Sequence, residues 1–170
     1  CLDGVVNDLI VFKGSLYAAG NFKSCGTGVG YNFAKWKGIG WEMIGGTTGR
    51  INTMEEYDNA ILLGGAMDFG TATNINAIKW DSTNSFRSFD SLMNKEVMDF
   101  ELYYDTLYAS CKRTSLIDSN NLMYKLRGNE WTKGLPEITR YHTFATKGGV
   151  STINTMCYDH SIKGMYFGGY

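Results

Sequence analysis

The residues with which this chain could do chemistry are two histidines, four cysteines and 17 carboxylates among 170 residues. Copper-radical oxidation needs two histidines, a Tyr–Cys pair and a further tyrosine in one place, and His142 and His160 are the only imidazoles. Glycoside hydrolysis needs two carboxyl groups facing one bond. Asp58, Asp105 and Asp159 recur along the chain, while Asp68, Asp118 and Glu137 form a second set. Calcium wants several acids in one short loop, but DFGTATNIN (Asp68–Asn76) and DSNN (Asp118–Asn121) hold one each. Cys1, Cys25, Cys111 and Cys157 include no C-x2-C pair, so zinc is not indicated. The run GTGVG (Gly26–Gly30) imitates a dinucleotide fingerprint, which would also need a strand before it and a helix after it. Tyr31, Asn32, Phe69, Asn74, Arg113 and Tyr141 are the aromatic and polar types that hold a sugar.

Bulk composition narrows the classes. A net charge of -1 and the lack of any Lys/Arg run argue against nucleic acid. No apolar run approaches the length of a membrane-spanning helix. Apolar residues at 44% and aromatics at 14% suffice for a core, so disorder is not expected. With 21 glycines and one proline, the chain suits short strands and tight turns. It begins at Cys1 with no leader-like segment, which reads as a processed chain or a piece of a longer one.

The elements that must position these residues repeat. VNDLIVFKGSLYAAG from Val6 aligns with INTMEEYDNAILLGG from Ile51, VMDFELYYDTLYASC from Val97 and INTMCYDHSIKGMYFGG from Ile153. Each is an apolar strand, a short turn and a second strand ending in small residues. The equivalent residues Leu16, Ile61, Leu107 and Met165 are spaced by 45, 46 and 58 residues. A second strand–turn–strand follows the first three: FAKWKGIGWEMIG, AIKWDSTNSFRSF and LMYKLRGNEWTKG. Four short strands per period of about 45 residues predict an all-β fold, a β-propeller of four-stranded antiparallel blades. The blades are expected over 5–47, 50–91 and 96–134, with an insertion loop at 135–152 and a half blade at 153–170. About three and a half blades leave open edges. The remainder of a longer chain, or further copies, is expected to complete the ring; the mid-unit start and stop favour a segment. Small residues such as Ala18-Ala19-Gly20 are expected to fit a wedge that narrows toward an axis.

The pieces Leu16 to Phe22 with Ala34 to Gly45, and Ile61 to Gly65 with Ala77 to Asp81, resemble a repeat of secreted and surface-exposed, mostly bacterial β-propellers, reading LYxGGxF…AxWdGxxW. The third unit departs, with Cys111 for Gly and Leu126 for Trp. Kelch and galactose-oxidase-like propellers are similar more loosely. Trp80-Asp81 occurs once with no Gly-His partner, so the WD-repeat pattern fits poorly. The resemblance implies an extracellular or cell-surface module for adhesion, scaffolding or protein and glycan binding, without a cofactor.

On this framework the residues sort by loop. Residues 21–32, 66–76, 111–121 and 135–152 are expected on one face, and the tight turns on the other. Tyr31, Asn32, Asp68, Phe69, Asn74, Arg113, Asp118, Tyr141 and His142 are the candidate ligand-binding residues. Asp58, Asp105 and Asp159 are expected as turn formers. His160 falls opposite His142, which counts against a copper site. Trp36, Trp41, Trp80 and Trp131 are expected in packing, and Cys1 with Cys25 is a candidate disulfide. No catalytic or metal residue is assigned. Alternative readings are a building block of a larger surface assembly, and a carbohydrate-active or redox enzyme with its site at the axis.

Overall fold

The computed structural model describes residues 1–24, 30–45, 47–69, 72–83, 85–89, 95–112, 123–128, 130–134, 141–143, 153–161 and 164–169. All of its regular structure is β. The first sheet joins β1 (Leu2–Phe12), β2 (Ser15–Ser24), β3 (Tyr31–Trp36) and β4 (Trp41–Met43) in chain order. The second repeats this with β5 (Thr48–Tyr57), β6 (Ala60–Phe69), β7 (Ala72–Trp80) and β8 (Phe86–Ser88). The third does so with β9 (Val97–Tyr103), β10 (Thr106–Cys111), β11 (Met123–Arg127) and β12 (Glu130–Lys133). All neighbours in these sheets are antiparallel. The fourth sheet has the order β13–β15–β14, from β13 (Tyr141–Thr143), β14 (Ile153–Asp159) and β15 (Gly164–Gly169). Its β13 runs parallel to β15, so part of the expected insertion loop is a strand.

Local chemistry sets the hairpins. Lys13 and Gly14, and likewise Asp58 and Asn59, all have positive φ, from 48° to 71°. That pair of left-handed residues is the two-residue turn whose twist matches antiparallel strands. Between β6 and β7 only residues 70 and 71 intervene, where a loop over 66–76 was expected. Asn74 therefore lies in β7.

The sheets stack in chain order. Phe12, Tyr17 and Phe33 of the first pack on Ile51, Met54, Ile61, Leu63 and Trp80 of the second. Leu62 and Ala77 meet Val97, Phe100, Leu107 and Trp131 of the third, and Tyr108 and Met123 meet Met156 and Met165 of the fourth. Consecutive Ile61, Leu62 and Leu63 are therefore all fully buried, because β6 is covered on both faces. Two-sided cover is what makes a strand an unbroken apolar run. Trp80 and Trp131 lie buried in these layers, as expected of them, whereas Trp36 is 38% exposed.

Strands β1, β5, β9 and β14 each carry a β-bulge at the same place in the repeat. Asn7, Asn52, Met98 and Asn154 are each the extra residue against an unbroken partner strand. The small residues of the second strands answer to two local crowdings. A Cβ on Gly20 would lie 2.1 Å from the Val5 carbonyl oxygen beside the bulge. On Gly64 it would lie 2.7 Å from both Phe100 and Val97, in the next sheet. Gly64→Ala is thus expected to destabilise the fold by about 1–3 kcal/mol through overpacking. Gly40→Ala, which meets nothing within 4 Å, is expected to be near neutral. Urea unfolding of both variants checks this.

Candidate functional site

Bulges re-aim side chains, and here they aim them at the next sheet. Asn7 donates its side-chain N–H to the Ile51 carbonyl at 2.7 Å, and Asn52 donates to the Val97 carbonyl at 2.7 Å. The following residue makes a second tie. Asp8 accepts the Met54 amide at 2.6 Å, and Asp99 accepts the Met156 amide at 2.5 Å. Between them, the Thr53 hydroxyl donates to Asp99 at 2.9 Å and stands 3.5 Å from the Phe100 amide. Thr53 also bonds Asp8, and Thr155 bonds Asp99. The row Asp8–Thr53–Asp99–Thr155 thus crosses all four sheets, carboxylate alternating with hydroxyl. Two places along, Glu101 accepts the Tyr158 amide at 2.8 Å.

Burial dominates the electrostatics of this row. It pushes Asp99 up to about 6, against the hydrogen bonds of Met156, Thr53 and Thr155. Burial, then the charges of Glu101 and Asp99, push Glu55 up to about 7. Burial also raises Asp8 and Glu101. Glu96 goes the other way. Burial would raise it, but hydrogen bonds from Asn52 and Arg50, with the Arg50 charge and Lys112, hold it below the usual carboxylate range. A carboxyl titrating near 7 has the proton affinity of a general acid or base. In this site Asp8, Asp99 and Glu101 are committed to main-chain amides of the next sheet, and Glu55, the group near 7, accepts the neighbouring Glu56 amide. Among the described residues no three His, Cys, Asp or Glu side chains could hold a metal ion.

These inner-strand residues were not singled out in the sequence. The signal was present: Asn7, Asn52 and Asn154 share one repeat position, and Asp8, Thr53, Asp99 and Thr155 share the next. A polar residue recurring in register within an apolar strand marks a partner outside that strand.

Of the loop residues, the structure brings Tyr31 and Asn32 to one cavity of about 320 Å³. Asp3, Asn21, Phe22, Lys23, Thr48 and Gly49 complete its lining. Tyr31 is 48% exposed, and Asp3, Asn21 and Lys23 are exposed beside it. Asn32 is spent on the scaffold: it accepts the Phe22 amide at 3.0 Å and donates to the Gly49 and Thr47 carbonyls. Asp68 and Phe69 end β6, Asn74 lies in β7, and Tyr141 and His142 lie in β13; none of their side chains is among those described. Arg113, Asp118, Glu137 and Cys25 lie outside the described residues. Asp159 holds its turn by accepting the Ser161 amide at 2.8 Å, and Asp58, in the turn before β6, pairs with Lys79 of β7.

Cys1 is disulfide-bonded, and the ladder that pairs Leu2 with Ser24 runs beside it. Cys111 and Cys157 take no part in a disulfide. Burial pushes the Cys111 thiol up to about 12, which makes it inert. No protein-family model matches the chain, and no curated protein matches it.

The carboxylate row makes stability depend on pH in an unusual sense. Glu55 at about 7 against an ordinary 4.5, and Asp99 at about 6 against 3.8, bind protons more tightly folded than unfolded. Their contribution is complete below the unfolded values and is lost as pH rises through the folded ones. Glu96 opposes this only below its ordinary 4.5. The melting temperature is therefore expected to rise as pH falls from about 8 to about 5. Glu55→Gln is expected to flatten that rise, as thermal melts across the range will show.

Proposed function

We propose that the chain is part of a β-propeller of the secreted, surface-exposed repeat type, and that it works by binding. Four stacked sheets in chain order, with equivalent residues at each junction, support the architecture. The reading as a module for adhesion, scaffolding or protein and glycan binding rests on one contrast. The inner-strand carboxylates Asp8, Asp99 and Glu101 are tied to amides, whereas the polar groups around Tyr31 stand open to solvent. A half-exposed aromatic ring flanked by a carboxylate, an amide and an ammonium can stack on a sugar ring and hydrogen-bond its hydroxyls. The disulfide at Cys1 supports an oxidising compartment, outside the cell or at its surface. Protein and glycan surfaces are the partners of this reading, together with the rest of a longer chain or further copies.

A glycan array followed by calorimetry tests it. Tyr31→Ala is expected to weaken any oligosaccharide bound by about tenfold, about 1.4 kcal/mol. A blank array counts against the glycan form, and unchanged affinity in the variant moves binding away from this cavity. A second reading, a building block of a larger surface assembly, is favoured by the apolar residues that β1 leaves exposed.

A further inference from the structure

We propose that the cleft between the first and second sheets binds a sugar that carries one negative charge. The cleft holds about 470 Å³ and lies on the face of the first sheet that the second covers. Both sheets have four strands. Tyr17 and Trp80 line it from the two sides, each 3% exposed, and meet edge to face at 5.4 Å. Its cations come from the first sheet. Lys35 Nζ stands 5.6 Å from the centre of the Tyr17 ring, and Lys13 Nζ stands 3.4 Å from Oγ of Ser82 in the opposite wall. Among the described residues no carboxylate pairs with either lysine. Glu42, opposite Lys35 in the ladder, turns to Lys37 at 3.2 Å. Asp81, beside Ser82, accepts the Thr83 amide at 3.0 Å and the Thr83 hydroxyl at 2.5 Å. A separate sign of a missing acceptor comes from Trp80 itself, whose indole N–H is buried without a hydrogen-bond partner.

The second sheet shows the same place neutralised. Lys79 stands opposite Leu62 in the ladder as Lys35 stands opposite Tyr17, and it pairs with Asp58 at 2.5 Å. The residue equivalent to Asp58 in the first sheet is Lys13. Both hold the same left-handed turn position, with φ of 50° and 48°. The acid that answers the lysine in one sheet is thus a second ammonium in the other. With Lys37 counted beside them, three ammonium groups face the two carboxylates of Glu42 and Asp81, and one positive charge is left over. That surplus matches a carboxylate or a sulfate ester better than a phosphate, which carries nearly two charges. No arginine lines the cleft to grip a phosphate by its fork. The remaining lining suits a sugar ring. Ser82 and Glu42 can bond its hydroxyls, while Met43 and Ile44 can cover a C–H face. The acid group then takes charge-assisted bonds from Lys35 and Lys13.

This cleft adds a second sugar site to the binding reading, and the two fail separately, because Tyr31 takes no part in it. The full chain, isotope-labelled at its tryptophans, is titrated by NMR with sodium glucuronate, glucose 6-sulfate, glucose and inorganic phosphate. Either sugar acid is expected to shift the assigned Trp80 indole resonance. Lys13→Asp gives Lys35 the partner that Lys79 has, and is expected to weaken binding about tenfold. Asp58 already holds an acid at this turn position, and a thermal melt checks that the variant keeps the fold. Lys35→Gln, expected to weaken binding similarly, decides the matter if Lys13→Asp melts early. Binding of only one of the two acids supports the site and identifies the charge as carboxylate or sulfate. Glucose binding as tightly as the acids, phosphate binding more tightly, no shift at Trp80, or full affinity in the lysine variants overturns the proposal.

Discussion

At the junctions between sheets, polar side chains leave an inner strand at a bulge and end on the main chain of the next sheet. Apolar surface alone would let the sheets slide, because burial is non-directional. The bonds from Asn7 to Ile51, Asp8 to Met54 and Asp99 to Met156 fix the offset of one sheet on another. They do so at a place where the bulge has already broken the strand's own ladder. Each bond to a carboxylate contributes about 1.5–3 kcal/mol net, and losing one strands a buried amide as well. The apolar layers supply most of the cohesion, and the ties supply the register.

The same bulge governs the second strands. Where an extra residue swells the first strand, the facing chain comes too close for a side chain, and Gly20 and Gly65 sit there. One step along, Gly64 yields room to Phe100 and Val97 of the next sheet. Small residues that look like a single motif therefore serve two neighbours, one within the sheet and one across the stack.

Much of this was legible because it was local. Strand, turn and strand announce themselves through alternation and through residues such as Lys13-Gly14 and Asp58-Asn59, and the repetition multiplies a weak signal. What stayed hidden depends on partners distant in the chain. Nothing near Asp8 says that its acceptor sites face residue 54. Parallel pairing of β13 with β15 leaves no local trace, so Tyr141–Thr143 reads as loop. Asn32 looked like a ligand residue from its type and place, yet its amide is consumed by three main-chain groups. Asn74 was misplaced for the opposite reason: its polar surroundings resemble a loop, but the hairpin tip has shrunk to two residues.

The row Asp8–Thr53–Asp99–Thr155 also carries a parity. Because a hydroxyl separates every two carboxylates, adding or removing one sheet within the row would bring acid against acid or hydroxyl against hydroxyl. Two carboxylates in contact there would have to share a proton. An even number of sheets gained or lost leaves the sequence of partners intact. The unit that such a row can gain or lose from its interior without bringing like partners together is thus a pair of sheets, twice the repeat that the aromatic residues mark.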